Sequence, residues 1–209
     1  MDWDDIVWRL KNEPEWLALV FLLVAVVAGG SYYYYQNYTA DTEAGEYFNR
    51  VFVQYVQANN TDDYEPVIQQ LKRLSNRYDD SELYDKIVYF LGKSYFKEGQ
   101  YSEAIQQFLT ITRRYPESFF YDSSQLHAGY CFYQLGQLKP ALKHFSRLDE
   151  LDPENPLWVE SQWQKALVYR LNEDYEKARG VLKNILENSP SSESYWSSRA
   201  REMLSELAA

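Results

Sequence analysis

One cysteine and two histidines are all that 209 residues offer of the thiol and imidazole side chains that hold transition metals. A lone thiol, Cys131, closes no intrachain disulfide and builds no multi-cysteine metal site, and it reads as a small buried apolar residue. His127 and His144 stand 17 apart on separate expected helices with no evident carboxylate beside either, so they read as packing or surface residues. No glycine-rich nucleotide loop, G-x-S-x-G or H-E-x-x-H occurs. The acidic pairs Asp62-Asp63 and Asp79-Asp80 fall at expected turns and helix starts, where the helix dipole accounts for them. No enzyme, metal or cofactor is expected from such a chain. Basic residues are the scarcer charge, 21 against 31 acidic ones, for a net charge of −10. Without a basic stripe, nucleic acid is not an expected partner. Breakers are scarce too, with 8 glycines and 7 prolines, which favours long helices and an all-α fold.

Aromatic residues are abundant: 20 Tyr, 10 Phe and 6 Trp. Several frame the one long apolar run. From Trp16 to Gly30 the chain reads WLALVFLLVAVVAGG, with no charge, followed by Ser31 and four tyrosines, Tyr32 to Tyr35. As a helix, residues 16–35 extend roughly 30 Å, one hydrocarbon thickness, and aromatic residues at both ends match membrane-interface belts. A buried core helix of this length would show a polar face. A signal peptide would carry a basic leader, whereas residues 1–15 hold five acids against Arg9 and Lys11. Residues 16–35 are therefore expected to be an uncleaved transmembrane helix in contact with lipid. Arg9 and Lys11, with nothing basic beyond the span until Arg50, favour a cytoplasmic N-terminus. Trp3, Ile6, Val7 and Leu10 would share one face of a short interfacial helix within residues 1–15.

The remainder is periodic at 37 residues. Gly92, Gly129 and Ala166 keep this spacing, as do Ala104, Ala141 and Ala178, and Phe108, Phe145 and Leu182. So do Tyr95, Phe132 and Tyr169, and Pro116, Pro153 and Pro190. Each copy is expected to be a helix with a small residue near its middle, a short turn, a second helix and a proline stop. The small residues allow close helix approach, and the large residue four after each alanine is expected to fill the gap toward the next copy. Since one pair cannot bury its own apolar face, the copies must stack. A decayed copy upstream places Val51, Tyr55, Tyr64, Leu71 and Leu74 in the corresponding positions. The expected layout is a linker at 36–46, a degenerate first repeat at 47–82 and three repeats over 83–194. A helix over 195–209 closes the array, with Ser198, Arg201, Glu202 and Ser205 outward.

This pattern resembles the tetratricopeptide repeat, with three residues more than that family's usual period of about 34. The longer linker is similar to repeats of bacterial envelope proteins such as the periplasmic coordinator of the Tol–Pal system and the Bam-complex lipoprotein. The layout is similar to the ancillary subunit of the Sec translocon. The resemblance implies a right-handed α-solenoid of helix pairs that binds partner proteins along the face lined by its first helices. Helical spacing assigns Phe52, Lys86, Tyr89, Lys93, Phe96, Lys97, Tyr130, Tyr133, Trp163 and Arg170 to that face, aromatic with a basic centre. The implied protein is a single-pass inner-membrane scaffold, its repeats in the periplasm and holding a client or peptide segment. The alternative is a structural subunit of a stable, for instance energy-converting, membrane complex.

Overall fold

The computed structural model describes residues 14–188 and 195–208, with side chains from residue 21 onward except Tyr34 and Asn37. The face expected from Trp3 to Leu10, the side chain of Trp16 and the stop at Pro190 lie outside the described residues. Among the described residues all regular structure is helical. The helices are α1 (Pro14–Thr61), α2 (Glu65–Arg77), α3 (Tyr84–Lys97), α4 (Tyr101–Arg114) and α5 (Tyr121–Gln134). They continue as α6 (Leu138–Phe145), α7 (Pro156–Leu171), α8 (Tyr175–Asn188) and α9 (Tyr195–Glu206). Each packs on the next, and α3 on α5, α5 on α7 and α7 on α9 also touch, as in a stacked array of helix pairs.

Each turn inside a pair needs one residue at positive φ: Asp62 (58°), Gly99 (72°), Gly136 (70°) and Glu173 (60°). These positions are themselves 37 apart. Glycine adopts this backbone freely, whereas Asp62 and Glu173 carry a cost of about 1 kcal/mol each.

Close approach inside the pairs is set by a matched contact. A Cβ added at Gly92 would lie 2.9 Å from the Phe108 ring, and one at Gly129 only 2.4 Å from the Phe145 ring. In the third copy the positions hold Ala166 and Leu182, a larger small residue facing a smaller large one, and both are fully buried. The expectation that Phe108 and Phe145 fill space toward the next copy is therefore incomplete, because each first caps the glycine of its own pair. Phe108 also reaches His127 of the following copy, with ring centroids 5.3 Å apart.

Two expectations need correction. Residues 36–46 are not a linker but part of α1, with no proline to interrupt the helix. They already pack on the array: Ala44 is fully buried, the Ser81 hydroxyl donates to Asp41 over 2.6 Å, and the Tyr78 hydroxyl donates to Glu43 over 3.2 Å. In the second copy the second helix stops at Phe145 and passes through a 3-10 turn, Ser146–Leu148, well short of Pro153. The early stop frees Asp149, whose carboxylate accepts hydrogen bonds from Lys165 Nζ (2.7 Å) and Gln162 Nε2 (2.6 Å) of α7.

At the far end α9 buries Ala200 and Met203 while Ser198, Arg201, Glu202 and Ser205 stay exposed. At the near end every described side chain from Phe21 to Tyr33 is exposed. Among the described residues no helix is long and apolar enough to cross a membrane, and the side chains of residues 16–20 in the expected span lie outside them.

Candidate partner-binding face

The first helix of each pair carries the expected face. On α3, Lys86, Tyr89, Lys93, Phe96 and Lys97 repeat at intervals of three and four, so they share one side of the helix. Their ring neighbours come chiefly from α5 and the residue just before it, with Phe48 of α1 beside Lys86. Tyr89 stacks on Phe120 (4.6 Å between centroids) and meets His127 edge-on (5.9 Å). Phe96 lies 6.1 Å from His127 and 6.3 Å from Tyr130. Tyr130 also meets Phe145 of its own pair at 5.8 Å. His127 is thus the packed centre of four rings, and its Nδ1 lies 2.7 Å from the Ser123 carbonyl. Burial, aided by Lys93, pushes its pKa down to about 4, so the ring is neutral at pH 7.

The electrostatics are mixed rather than basic. Tyr130 donates its hydroxyl proton to Glu160, contributed by α7. Burial and that carboxylate raise the hydroxyl far above its ordinary range. Burial, then Lys97, lowers the Lys93 pKa, while Glu160 opposes the shift. Lys86 Nζ sits 4.6 Å from the Phe48 ring centroid, and Lys93 Nζ 6.0 Å from that of Tyr89, both cation–π arrangements. Glu160 carries neither the aromatic nor the basic signature by which the face is legible in sequence, yet it lies three residues before Trp163 on the same helix face.

The ten assigned residues differ in exposure. Phe52, 37% exposed at the edge of a cluster with Phe48, Tyr55 and Phe90, and Lys97 are open to solvent. Lys86, Lys93, Phe96, Tyr130 and Tyr133 are half-buried. Tyr89 is buried, as is Trp163, which packs 6.1 Å from Trp196 of α9 with the Arg199 guanidinium 5.3 Å from its ring. Arg170 is exposed but pairs with Glu206 of α9 at 3.2 Å. The closing helix therefore occupies the last part of the face, and the open part runs from Phe52 to Tyr133. Among the described residues no group of three or more His, Cys, Asp and Glu could hold a metal ion. Cys131 is fully buried, and burial pushes its thiol pKa up to about 12, so it is unreactive near neutral pH.

Two tetratricopeptide-repeat profiles match the chain, one over residues 89–156 and the other over 160–192. No curated protein sequence matches it. Among solved structures it is similar to a tetratricopeptide-repeat protein from Parabacteroides merdae, with TM-score 0.63 and 16% identity, covering 78% of this chain and 60% of that one. It is likewise similar to a tetratricopeptide-repeat protein from Thermus thermophilus, with TM-score 0.53 and 19% identity, covering 76% and 80%. The MamA protein of Desulfovibrio magneticus gives TM-score 0.59 and 16% identity, covering 79% and 93%. The chain thus spans about three fifths of the Parabacteroides chain. At such identities these likenesses establish the fold.

Proposed function

Because the chain belongs to the tetratricopeptide-repeat family, we propose that it is a non-catalytic scaffold, held in a membrane by its N-terminal helix, that grips a partner protein along its first-helix face. The observation that carries this reading is the junction inside α1. Residues Phe21 to Val27 project beyond the array with apolar side chains exposed on every side, while the same helix further on, from Ala44 to Ala58, forms the first layer of the core. A helix apolar all round is stable only where something covers it, and lipid is the cover that suits the uncharged run Trp16–Gly30. The direct fusion makes anchor and array one rigid lever, so a partner held near Phe52 would sit at a set distance from the bilayer.

Arg9 and Lys11 favour an N-terminus in the cytoplasm, which would put the repeats in the periplasm of a bacterial inner membrane, where the protein would serve export or envelope assembly as a chaperone-like accessory. A second reading, a structural subunit of a stable membrane complex, draws on the same exposed apolar stretch, which a neighbouring membrane helix would cover equally well. Co-purification after mild detergent extraction separates them: sub-stoichiometric clients lost with Phe52→Ser plus Lys97→Glu support the first, stoichiometric partners insensitive to that pair the second. Single cysteines at Asn12 and Ser189 in a Cys131→Ser chain test the topology. Labelling of Asn12→Cys alone by an impermeant reagent in intact cells would reverse it.

A further inference from the structure

A second groove lies on the other side of the array. Helices α4 and α6, the second members of neighbouring pairs, flank α5 and enclose a groove of about 640 Å³. On α5 its wall is Gln125 and Phe132, whereas the partner-binding face uses Tyr130 and Tyr133; at 100° per residue these sets point in clearly different directions. The rim is cationic, with Arg113 from α4, Lys139 and Lys143 from α6, and Arg147 from the turn after it. No carboxylate lines the groove, and none of these four exposed cations makes an ion pair with a described residue.

That arrangement is out of character for the molecule. The chain carries −10 overall, yet this rim gathers four cations with no carboxylate among the lining residues. The floor carries Leu109 and Phe132, and Phe132 stacks on His144 at 5.3 Å with the rings 17° apart. His144 is held in turn by Gln125, its Nδ1 2.8 Å from Oε1. Burial, together with Lys143, Arg147 and Arg113, drives the His144 pKa down to about 4, which registers the positive field at the groove floor.

We infer that this groove between α4, α5 and α6 is a docking site for an acidic peptide segment of a partner protein, with carboxylates on the four rim cations and an apolar side chain on Phe132. Charge complementarity selects the occupant. Over a Debye length of about 8 Å at physiological salt, a short segment in the groove feels chiefly the rim. A long phosphate polymer must also pass the acidic remainder of the surface, which repels it. Guanidinium and ammonium groups around an apolar floor also match a peptide that presents both kinds of side chain, and the guanidinium of Arg113 or Arg147 takes a carboxylate through two parallel hydrogen bonds. This site is separate from the first-helix face and does not depend on it.

The test uses the full chain in mild detergent and a fluorescent peptide of alternating glutamate and leucine, read by anisotropy. Binding is expected, weakening as salt rises, and Lys139→Glu with Lys143→Glu should weaken it by about tenfold or more. The milder Lys139→Gln with Lys143→Gln should fall between, while Lys72→Glu with Lys183→Glu, two exposed lysines outside both surfaces, should leave it unchanged. Both lysines of the groove pair are exposed, so unaltered circular dichroism is expected for the variants. Peptide binding indifferent to both groove variants overturns the proposal. So does stronger groove-dependent competition by a single-stranded oligonucleotide or by short-chain phosphatidylserine. Self-association abolished by the same variants would give the groove to a second copy of this chain and likewise overturn it.

Discussion

Replacing Gly129 with alanine should destabilise the protein, although alanine is the better helix former. In a helix interior the exchange gains about 1 kcal/mol from backbone entropy alone. At Gly129 the new methyl would meet three atoms of the Phe145 ring at 2.4, 2.6 and 2.9 Å, so the ring must retreat by about 1 Å to restore ordinary contact. Phe145 is fully buried and held edge-on by Tyr130, so it has nowhere to go. Overpacking of this kind costs about 1–3 kcal/mol, and the severity of the 2.4 Å contact argues for the upper end, leaving a net loss of about 1–2 kcal/mol. The third copy supplies the remedy, since Ala166 faces Leu182 there. Combining Gly129→Ala with Phe145→Leu should recover much of the loss, with a coupling of about 1–2 kcal/mol in a double-mutant cycle. Urea unfolding followed by circular dichroism measures all four corners. Gly180 in α8 is the control: nothing lies within 4 Å of its added Cβ, so Gly180→Ala should stabilise by up to about 1 kcal/mol. If Gly129→Ala stabilises as Gly180→Ala does, or if the two changes in the cycle simply add, the matched-contact argument is refuted.

The left-handed backbone at Glu173 predicts that Glu173→Gly raises the thermal midpoint, with a gain of about 0.5–1 kcal/mol; no gain would mean that the turn relaxes in solution. His127 and His144 have folded pKa values depressed to about 4, below the ordinary 6.5. The unfolded chain therefore binds protons first as pH drops, so their contribution is complete above pH 6.5 and is lost as pH falls toward 4. Unfolding midpoints across that window should decline, and His127→Gln with His144→Gln should flatten the slope whatever its effect on absolute stability. Asp149→Ala leaves Lys165, only 9% exposed, without its carboxylate and should cost about 1–3 kcal/mol by urea titration; a neutral result would show that Lys165 swings out to water.

The 37-residue period made the helix pairs legible because stacking demands the same small and large residues in every copy. It could not reveal what happens where the repetition stops. Trp163 and Arg170 occupy the right positions for the open face, yet the non-repeating helix α9 covers one with Trp196 and pairs the other with Glu206. Residues 36–46 lacked repeat signposts and so read as a linker, although Asp41 and Glu43 bind them to the segment between α2 and α3 and Ala44 is fully buried. The left-handed positions at Asp62 and Glu173 were hidden because neither is glycine, while Gly99 and Gly136 at the same spacing point to them once the turns are seen. The cationic groove was illegible for a different reason: Arg113 and Lys139 belong to second helices of different pairs, and only stacking brings them to one rim.

The central claim is that an anchored array holds a partner along the open part of its first-helix face. It is tested most directly by site-specific photo-crosslinking in intact membranes, with a photoreactive residue replacing Phe52 or Lys97 on that face, or Glu176 on α8 as the control. The account predicts a discrete crosslinked protein from Phe52 and Lys97 and none from Glu176. Adducts from Glu176 alone, or none from either face position in membranes that retain the protein, would contradict it.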